Sequence, residues 1–373
     1  MSRLTNWLDT PGCTIDCDDG LEAIQSLFLA RGWSDGLPVI PPTPERVEAM
    51  LAYCDRPWDE PFMTVPPRYA PATPARIAAN AVMAGLQPTH FPLVLAAFDA
   101  LNAPEFNLYG IQATTHPCTP LLLFGGPLAV EAGIHGGNNA FGQGYPANAT
   151  IGRAVRLALV NIGGAIPGIG DMATQGTPAK FAYCCSENEA QSPWEPLRVE
   201  LGLPAEVTTV TVVAAEGPHN INDHESTTAI GVLKSIAGTV AITGANNAYH
   251  PSVPVVAIGP EHARTLADGG YTKQAVKAYL YEHARLPLGR FSDENIERRL
   301  RKRFPERFAT AGLDALVPMA QSPEEFMVFV AGGAGKHSAF IPTFGSTRPV
   351  TRVVTTADGV PALRLDDFRR RSA

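Results

Sequence analysis

Short runs of apolar and β-branched residues carry the strand signal along this chain. Residues 121–124, 255–258 and 326–330 are apolar throughout, and residues 207–213 have a β-branched side chain at every position. Runs of this length and type are typical of buried strands. Further strands are predicted at residues 108–113, 239–243 and 350–355.

Between these runs, apolar residues recur at three- and four-residue spacing, which predicts helices. Thr43 and Thr73 each precede a proline, an order that suits the N-cap and the first helical position. Asn148 is predicted to cap another helix. The predicted helices are residues 21–31, 44–54, 72–86, 93–101, 127–132, 148–162, 227–236, 261–267, 272–283 and 293–304.

Strands that alternate with helices indicate an α/β fold. Residues 116–125 read His-Pro-Cys-Thr-Pro-Leu-Leu-Leu-Phe-Gly, and residues 250–259 read His-Pro-Ser-Val-Pro-Val-Val-Ala-Ile-Gly. We therefore predict duplicated strand–glycine–helix units around mixed sheets, with a helical N-terminal arm. The predicted organisation is an arm at residues 1–70, a first α/β half at 71–200 and a second α/β half at 201–373.

The composition narrows the class of protein. Of the 373 residues, 45% are hydrophobic and 17% are charged, and the formal net charge is −7. The negative charge argues against a nucleic-acid binder, which usually carries a basic face. No apolar stretch approaches the ~20 residues of a membrane span, and the first residues contain no signal-peptide core. We expect a cytoplasmic homo-oligomer that binds a small-molecule substrate, with no nucleic-acid or membrane partner.

The pair Cys184–Cys185 follows a loop rich in glycine and proline and precedes the carboxyl groups of Glu187 and Glu189. A cysteine thiolate is a strong nucleophile and a soft metal ligand, so Cys184 and Glu187 are candidate catalytic residues. The alternative is a pair of small buried hydrophobic residues, and nearby carboxylates would raise the pKa of a thiol.

His116 and Cys118 share one face of an extended segment, and His250 takes the place of His116 in the second copy. If the two copies face each other, both imidazoles point into one cleft. His116, Cys118 and His250 are then candidate ligands of a transition metal, which the sequence does not identify. The alternative is that each imidazole caps a backbone carbonyl where its strand begins.

Residues 216–225 directly follow the strand predicted at 207–213 and contain His219 and His224. Loops at strand ends are where α/β proteins place ligand-binding groups. Because imidazole titrates near neutral pH, both histidines are candidate acid/base catalysts.

Residues 332–338 read Gly-Gly-Ala-Gly-Lys-His-Ser. They do not match a phosphate loop, because Val330 stands where its first glycine belongs. The backbone N–H groups of this segment still suit an anion such as a carboxylate, with a plain turn as the alternative. The predicted substrate contacts are Lys336 and His337 here, the Asn-rich turns and one helical arginine: Asn138, Asn139, Arg153, Asn246 and Asn247.

Four segments resemble a bacterial family grouped with the UGSC-motif (seleno)proteins, which are named for a selenocysteine or cysteine in a short motif. These segments are residues 35–43, 148–154, 184–197 and 258–263, and the similarity covers most of the chain. No Cys-Gly-Ser-Cys occurs in this sequence, so no catalytic residue carries over. The resemblance implies a bacterial cytosolic protein with thiol or redox chemistry, and it implies no substrate.

The expected function is that of a small-molecule enzyme of the hydrolase or lyase type. It would use histidine acid/base chemistry, with a thiol or a bound metal, on an anionic substrate. The predicted cleft is lined by His116, His219, His224, His250 and the 184–189 loop. Two alternatives stay open: a thiol-dependent redox enzyme and a non-catalytic ligand-binding protein.

Overall fold

The computed structural model describes residues 14–369 of the chain, so residues 1–13 of the predicted arm lie outside the described part. Strands form at the apolar runs and at short segments that pair with them. In chain order the strands are Met63–Val65 (β1), Ala70–Ala72 (β2), Thr119–Gly125 (β3), Cys184–Ser186 (β4), Thr209–Ala215 (β5), His219–Asn222 (β6), Val255–Ile258 (β7), Arg285–Pro287 (β8), Leu316–Pro318 (β9), Met327–Val330 (β10), His337–Ile341 (β11) and Val350–Val353 (β12).

Two four-stranded sheets form the centre of the molecule. The first has the strand order β12-β5-β3-β4, and the second has the order β10-β7-β11-β6. In the first sheet, Leu122 of β3 lies opposite Cys184 of the parallel β4 and Val212 of the antiparallel β5. In the second sheet, Ala257 of β7 lies opposite Phe329 of the parallel β10, and β11 is antiparallel to β7. Both sheets are therefore mixed.

Helices cover the outer face of each sheet. In chain order the α-helices are Leu21–Ala30 (α1), Pro44–Leu51 (α2), Pro74–Met83 (α3), Phe91–Leu101 (α4), Leu108–Ala113 (α5), Pro127–Glu131 (α6), Pro146–Asn161 (α7), Leu197–Glu200 (α8), Ala229–Val240 (α9), Pro260–Asp268 (α10), Lys273–His283 (α11), Asp293–Asn295 (α12), Arg301–Arg303 (α13) and Pro305–Phe308 (α14), with a π-helical turn at Ile296–Leu300. Helices α4 and α7 pack on the first sheet, and α9, α10 and α11 pack on the second.

Strands β3 and β7 are buried at every position, which explains the uninterrupted apolar runs at 121–124 and 255–258. Along β3, Leu122 and Phe124 belong to the core that the first sheet shares with its helices, whereas Leu121 and Leu123 pack against the second sheet. Burial of one such leucine side chain contributes roughly 2 kcal/mol of transfer free energy.

Strand β7 alternates in the same way. Val255 and Ala257 face the first sheet, and Val256 and Ile258 belong to the core under the helices of the second sheet. The layers therefore follow the order helix, sheet, sheet, helix, and the protein is of the α/β class.

The strands β3, β4, β7 and β10 end at one edge of these layers. There, the backbone N–H of Asn188 donates to the carbonyl of Val330 at 2.8 Å, and the N–H of Gly332 donates to the carbonyl of Gly136 at 2.8 Å. We call this the carboxyl edge. The opposite edge, where β3 and β7 begin, is the amino edge.

Three predicted elements differ from the structure. Residues 108–113 form a helix instead of a strand, because Asn107 adopts a left-handed conformation and its side chain accepts the N–H of Gly110. Residues 239–243 lie at the end of α9 and beyond it, instead of forming a strand. Helix α7 begins at Pro146, so Asn148 lies inside the helix and does not cap it.

The two sheets divide the chain differently from the predicted boundary at residue 200. Strands β5 and β12 lie in the predicted second half but pair in the first sheet. The first sheet and its helices thus use residues 14–215 and 342–369, and the second sheet uses residues 216–341. Both segments that prompted the prediction of a duplication form a strand, a glycine and a helix that begins with proline, but their duplication stays a prediction.

Within residues 14–369, no helix combines the length and the apolar character that a bilayer crossing requires.

Candidate functional site

A cavity of about 490 Å³ opens at the carboxyl edge, where β3, β4 and β10 end. Its walls come from the residues that follow each of these strands, including Gly126 after β3, Glu187 after β4 and Gly333 after β10. The segment between α6 and α7 closes the cavity with His135 and Tyr145. Both sheets therefore contribute to one site, which we call the carboxyl-edge cavity.

Glu187 is the titratable group in these walls that is most strongly perturbed. Its Oε2 accepts the backbone N–H of Leu197 at 2.8 Å, while its Oε1 is buried and has no hydrogen-bond partner. Only 6% of the residue is exposed. Burial raises the pKa of this carboxyl from 4.5 to about 7, and the charge of Glu189 adds to the effect, against the opposing charges of Lys273 and Arg198. Glu187 therefore changes its protonation state near neutral pH.

Glu189, two residues on, has the opposite role. Its carboxylate forms a two-point ion pair with the buried guanidinium of Arg198 and also accepts the N–H of Gly126 at 2.8 Å. Arg198 completes its contacts by donating to the carbonyl of Ala205. Because these partners saturate both side chains, the pair supports the wall. In the described part of the chain, no lysine or arginine lines the cavity.

His135 is a second acid/base group of the cavity. Its ring stacks on Tyr145 with centroids 3.7 Å apart, and its Nε2 is buried without a hydrogen-bond partner. The amide of Asn148 holds the backbone of His135 from both sides, accepting its N–H at 2.8 Å and donating to its carbonyl at 2.9 Å. The ring is thereby fixed by stacking and its backbone by hydrogen bonds.

Asn138 and Asn188 join the two sheets beside these groups. The side chain of Asn188 donates to the carbonyl of Gly332 at 2.9 Å. A Cβ atom on Gly333 would lie 1.0 Å from Oδ1 of Asn138, so a larger residue here would displace the Asn138 side chain. Of the predicted site residues, the structure thus places Glu187 and Asn138 in the cavity wall.

The predicted thiol chemistry does not fit the structure. Cys184 and Cys185 lie within β4 instead of a loop, and both are buried. Burial raises the pKa of each of these thiols well above its usual value, and burial also raises the pKa of Cys118 to about 12. These groups stay protonated at neutral pH, so Cys184 is not suited to act as a nucleophile.

The predicted metal ligands lie at the amino edge. His116 pairs with Glu216 at 2.6 Å and stacks on Phe344. His250 contacts Arg299 and Arg303, and its pKa falls to about 4 because of burial and these positive charges.

The charge of His116 adds to the lowering of the pKa of His250, while the facing of the two copies in one cleft stays a prediction. Cys118, however, is buried and does not join them in a ligand set. Within residues 14–369, no group of three or more His, Cys, Asp or Glu side chains is arranged to hold a metal ion.

The predicted single cleft is also not formed. The seven residues of β3 separate His116 from the carboxyl-edge cavity, a distance of roughly 20 Å at the rise of an extended strand. His219 opens β6 and is exposed. His224 lies at the carboxyl edge, where its Nε2 is 3.0 Å from Nε2 of His337 on β11, but β7 stands between β11 and β10.

The predicted anion-binding groups are engaged elsewhere. Lys336 donates to the carbonyls of His224 and Ser226. Arg153 forms a two-point ion pair with Asp35 at 2.8 and 2.9 Å and also donates to the carbonyl of Pro38. It therefore attaches the extended segment before α2 to α7.

The remaining asparagines have structural partners or lie away from the cavity. Asn139 adopts a positive φ and donates to the carbonyl of Gln143. The buried amide of Asn247 bonds to Ser252 and Thr343 at the amino edge. Asn246, its neighbour, opens a short 3₁₀-helix there.

The prediction from sequence did not include His135 or Tyr145 among the site residues. Both flank the Asn-rich turn at 138–139, which was recognised as a candidate for substrate binding. A histidine beside such a turn is the signal that points to His135. The stacking with Tyr145 joins residues ten positions apart and has no local pattern.

Comparisons with known proteins add no assignment, because no family model, no curated protein and no solved structure matches this chain.

A larger cavity of about 1050 Å³ lies between residues 14–19 and the helices α1, α2 and α3. Its walls are mainly apolar and include Arg46, Arg68 and Arg76. Among the described residues, none of the buried side-chain polar atoms that lack a partner belongs to these walls. Of the described residues with a buried polar side-chain atom that lacks a partner, only Glu187 and His135 line either cavity, which is why we place the candidate site at the carboxyl edge.

Proposed function

We propose that this protein is a small-molecule enzyme of the hydrolase or lyase type, with Glu187 as the general acid/base in the carboxyl-edge cavity. The observation that carries the proposal is the buried Oε1 of Glu187, which lacks a partner, on a carboxyl whose pKa is raised to about 7. An acid/base catalyst works best when its pKa lies near the operating pH. A glutamate with a purely structural role would have both oxygens satisfied.

His135 supplies the second proton-transfer group of the proposed site. Glu187 in its ionised form takes a proton from bound water or from a carbon acid, and His135 gives a proton to the leaving oxygen or nitrogen. The unused Nε2 of His135 supports this role. The amide of Asn138 is positioned to orient the substrate, since it lies exposed in the same wall.

The charges of the cavity favour an uncharged or cationic substrate over the anionic one expected from sequence. Its titratable lining residues are His135, Tyr145, Glu187 and Glu189, and the neighbouring guanidinium of Arg198 is bound to Glu189. A volume of about 490 Å³ lies in the range of small-molecule sites.

The test compares the wild type with Glu187→Gln in a small-molecule extract, analysed by mass spectrometry before and after incubation. Glutamine keeps the acceptor for the Leu197 N–H but cannot transfer a proton. We expect compounds that the wild type converts at pH 7 and Glu187→Gln does not, with the exposed Glu306→Gln as a matched control. Equal conversion by wild type and Glu187→Gln would refute the role of Glu187, and binding without conversion would identify a ligand-binding protein.

A further inference from the structure

Two exposed imidazoles meet at the carboxyl edge of the second sheet, outside the cavity. His337 opens β11, and His224 follows the neighbouring strand β6. Their Nε2 atoms are 3.0 Å apart, and their rings are inclined at 77°. The proposed acid/base mechanism uses neither side chain.

The contacts of His337 determine which of its nitrogens is free. Its Nδ1 lies 2.9 Å from Oδ1 of Asn220, and an amide oxygen can only accept a hydrogen bond. Nδ1 therefore carries the proton, and Nε2 of the neutral ring presents its lone pair towards His224. This is the arrangement by which a hydrogen bond to one nitrogen prepares the other for a metal ion.

The backbone that carries His224 is held in place. Lys336 donates to the carbonyl of His224 at 2.9 Å, and the carboxylate of Asp223 accepts the N–H of Ser226 at 3.0 Å and the hydroxyl of Ser235 at 2.6 Å. The loop therefore loses little conformational freedom when the two rings are bridged. The positive charge of Lys336 opposes a cation here, so the site has to rely on strong metal–nitrogen bonds.

We propose that His224 and His337 bind a divalent late first-row transition metal, of the Ni²⁺ or Cu²⁺ kind. With metal–nitrogen bonds of about 2.0–2.1 Å, a separation of 3.0 Å corresponds to a nitrogen–metal–nitrogen angle of about 91–97°. This suits adjacent positions of a square-planar or octahedral ion better than the ~109° of a tetrahedral one. Water fills the other positions, and the proton between the two rings moves to Nδ1 of His224, which frees both Nε2 lone pairs for the ion.

The test measures Ni²⁺ binding to the full chain by calorimetry at pH 7.5. We expect one ion per chain, and an affinity that falls roughly 100-fold or more in His224→Ala and in His337→Ala, since even an outer-shell partner is worth about 10–100-fold. His283→Ala, which removes another exposed histidine, should bind like the wild type. Circular dichroism of each variant verifies that it is folded.

Substitutions of Asn220 provide a second test, because they would not change the Ni²⁺ affinity of a histidine elsewhere on the surface. Asn220→Asp places a carboxylate on Nδ1 of His337 and should tighten Ni²⁺ binding, whereas Asn220→Ala should weaken it by about 10–100-fold. The proposal is wrong if the wild type does not bind Ni²⁺ at millimolar concentration. It is equally wrong if both histidine variants keep the affinity and stoichiometry of the wild type, which would show that the ion is held elsewhere.

Discussion

Glu187→Gln should change how the stability of the protein depends on pH. In the unfolded chain this carboxyl ionises near its usual 4.5, whereas in the folded protein it holds its proton up to about 7. Between these values the unfolded state binds fewer protons, so the stability that Glu187 contributes falls as the pH rises. It is fully present below about pH 4.5 and is lost above about pH 7.

The size of this effect follows from the shift in pKa. Two and a half pH units at 1.36 kcal/mol each give about 3 kcal/mol. The residue is almost completely buried, so solvent screening does not reduce this value appreciably. For 373 residues, an unfolding entropy of about 2.1 cal/mol/K per residue converts 3 kcal/mol into a Tm change of about 4 °C.

The assay is the Tm of wild type and Glu187→Gln, measured by scanning calorimetry from about pH 4 to about pH 8.5, which spans both pKa values. The variant should gain about 4 °C relative to the wild type across this range, on top of a constant offset from the buried amide. The exposed Glu306→Gln should track the wild type at every pH. A difference between Glu187→Gln and wild type that does not vary with pH would show that burial does not perturb this carboxyl, and the proposed acid/base role would lose its basis.

Three further predictions concern other contacts. Asn148→Ala removes both hydrogen bonds to the partly buried backbone of His135 and should lower the free energy of unfolding by about 3 kcal/mol in a urea titration; an unchanged midpoint would contradict this role. Arg153→Met leaves the largely buried carboxylate of Asp35 without its partner and should lower the free energy of unfolding by about 3 kcal/mol. It should also speed tryptic cleavage in the segment before α2, whereas cleavage at the wild-type rate would show that other contacts hold this segment. N-ethylmaleimide at pH 7.5 should label the exposed Cys17 and leave the four buried cysteines of the described chain unmodified. Peptide mass spectrometry measures this, and labelling of a buried thiol in the native protein would contradict the burial.

The central strands could be predicted because both of their faces are buried. The runs at 121–124, 255–258 and 326–330 correspond to β3, β7 and β10, since uninterrupted apolar residues leave few alternatives. For the same reason the sequence could not show which face of each strand meets the other sheet: in β3, Leu121 and Leu122 are both leucines. The stacking of the two sheets therefore appears only in the structure.

The weaker strands depend on tertiary contacts. Strand β6 includes His219 and two asparagines, and its pattern does not differ from that of a loop until β11 pairs with it. The segment at 108–113 was predicted as a strand because of its apolar residues, but the local cap formed by Asn107 makes it a helix. Short-range capping decided this case against the hydrophobic pattern.

Only part of the site could be predicted, because its walls also depend on tertiary contacts. Glu187 was recognised through its proximity to two cysteines, although those cysteines are buried and its raised pKa comes from its own burial. The contribution of Gly333 and the pairing of Asn188 with the end of β10 join segments that are more than 140 residues apart in the chain. No local pattern contains such a contact.

The division of the chain between the two sheets has a consequence for synthesis on the ribosome. Residues 216–341 form an uninterrupted stretch that contains every strand of the second sheet, whereas the first sheet requires β12, which pairs with β5. Because β12 emerges last, the second sheet has all its strands while the first still exposes the free edge of β5. That edge is open to other chains until β12 has left the ribosome, and nascent protein is exposed to misassembly in this interval.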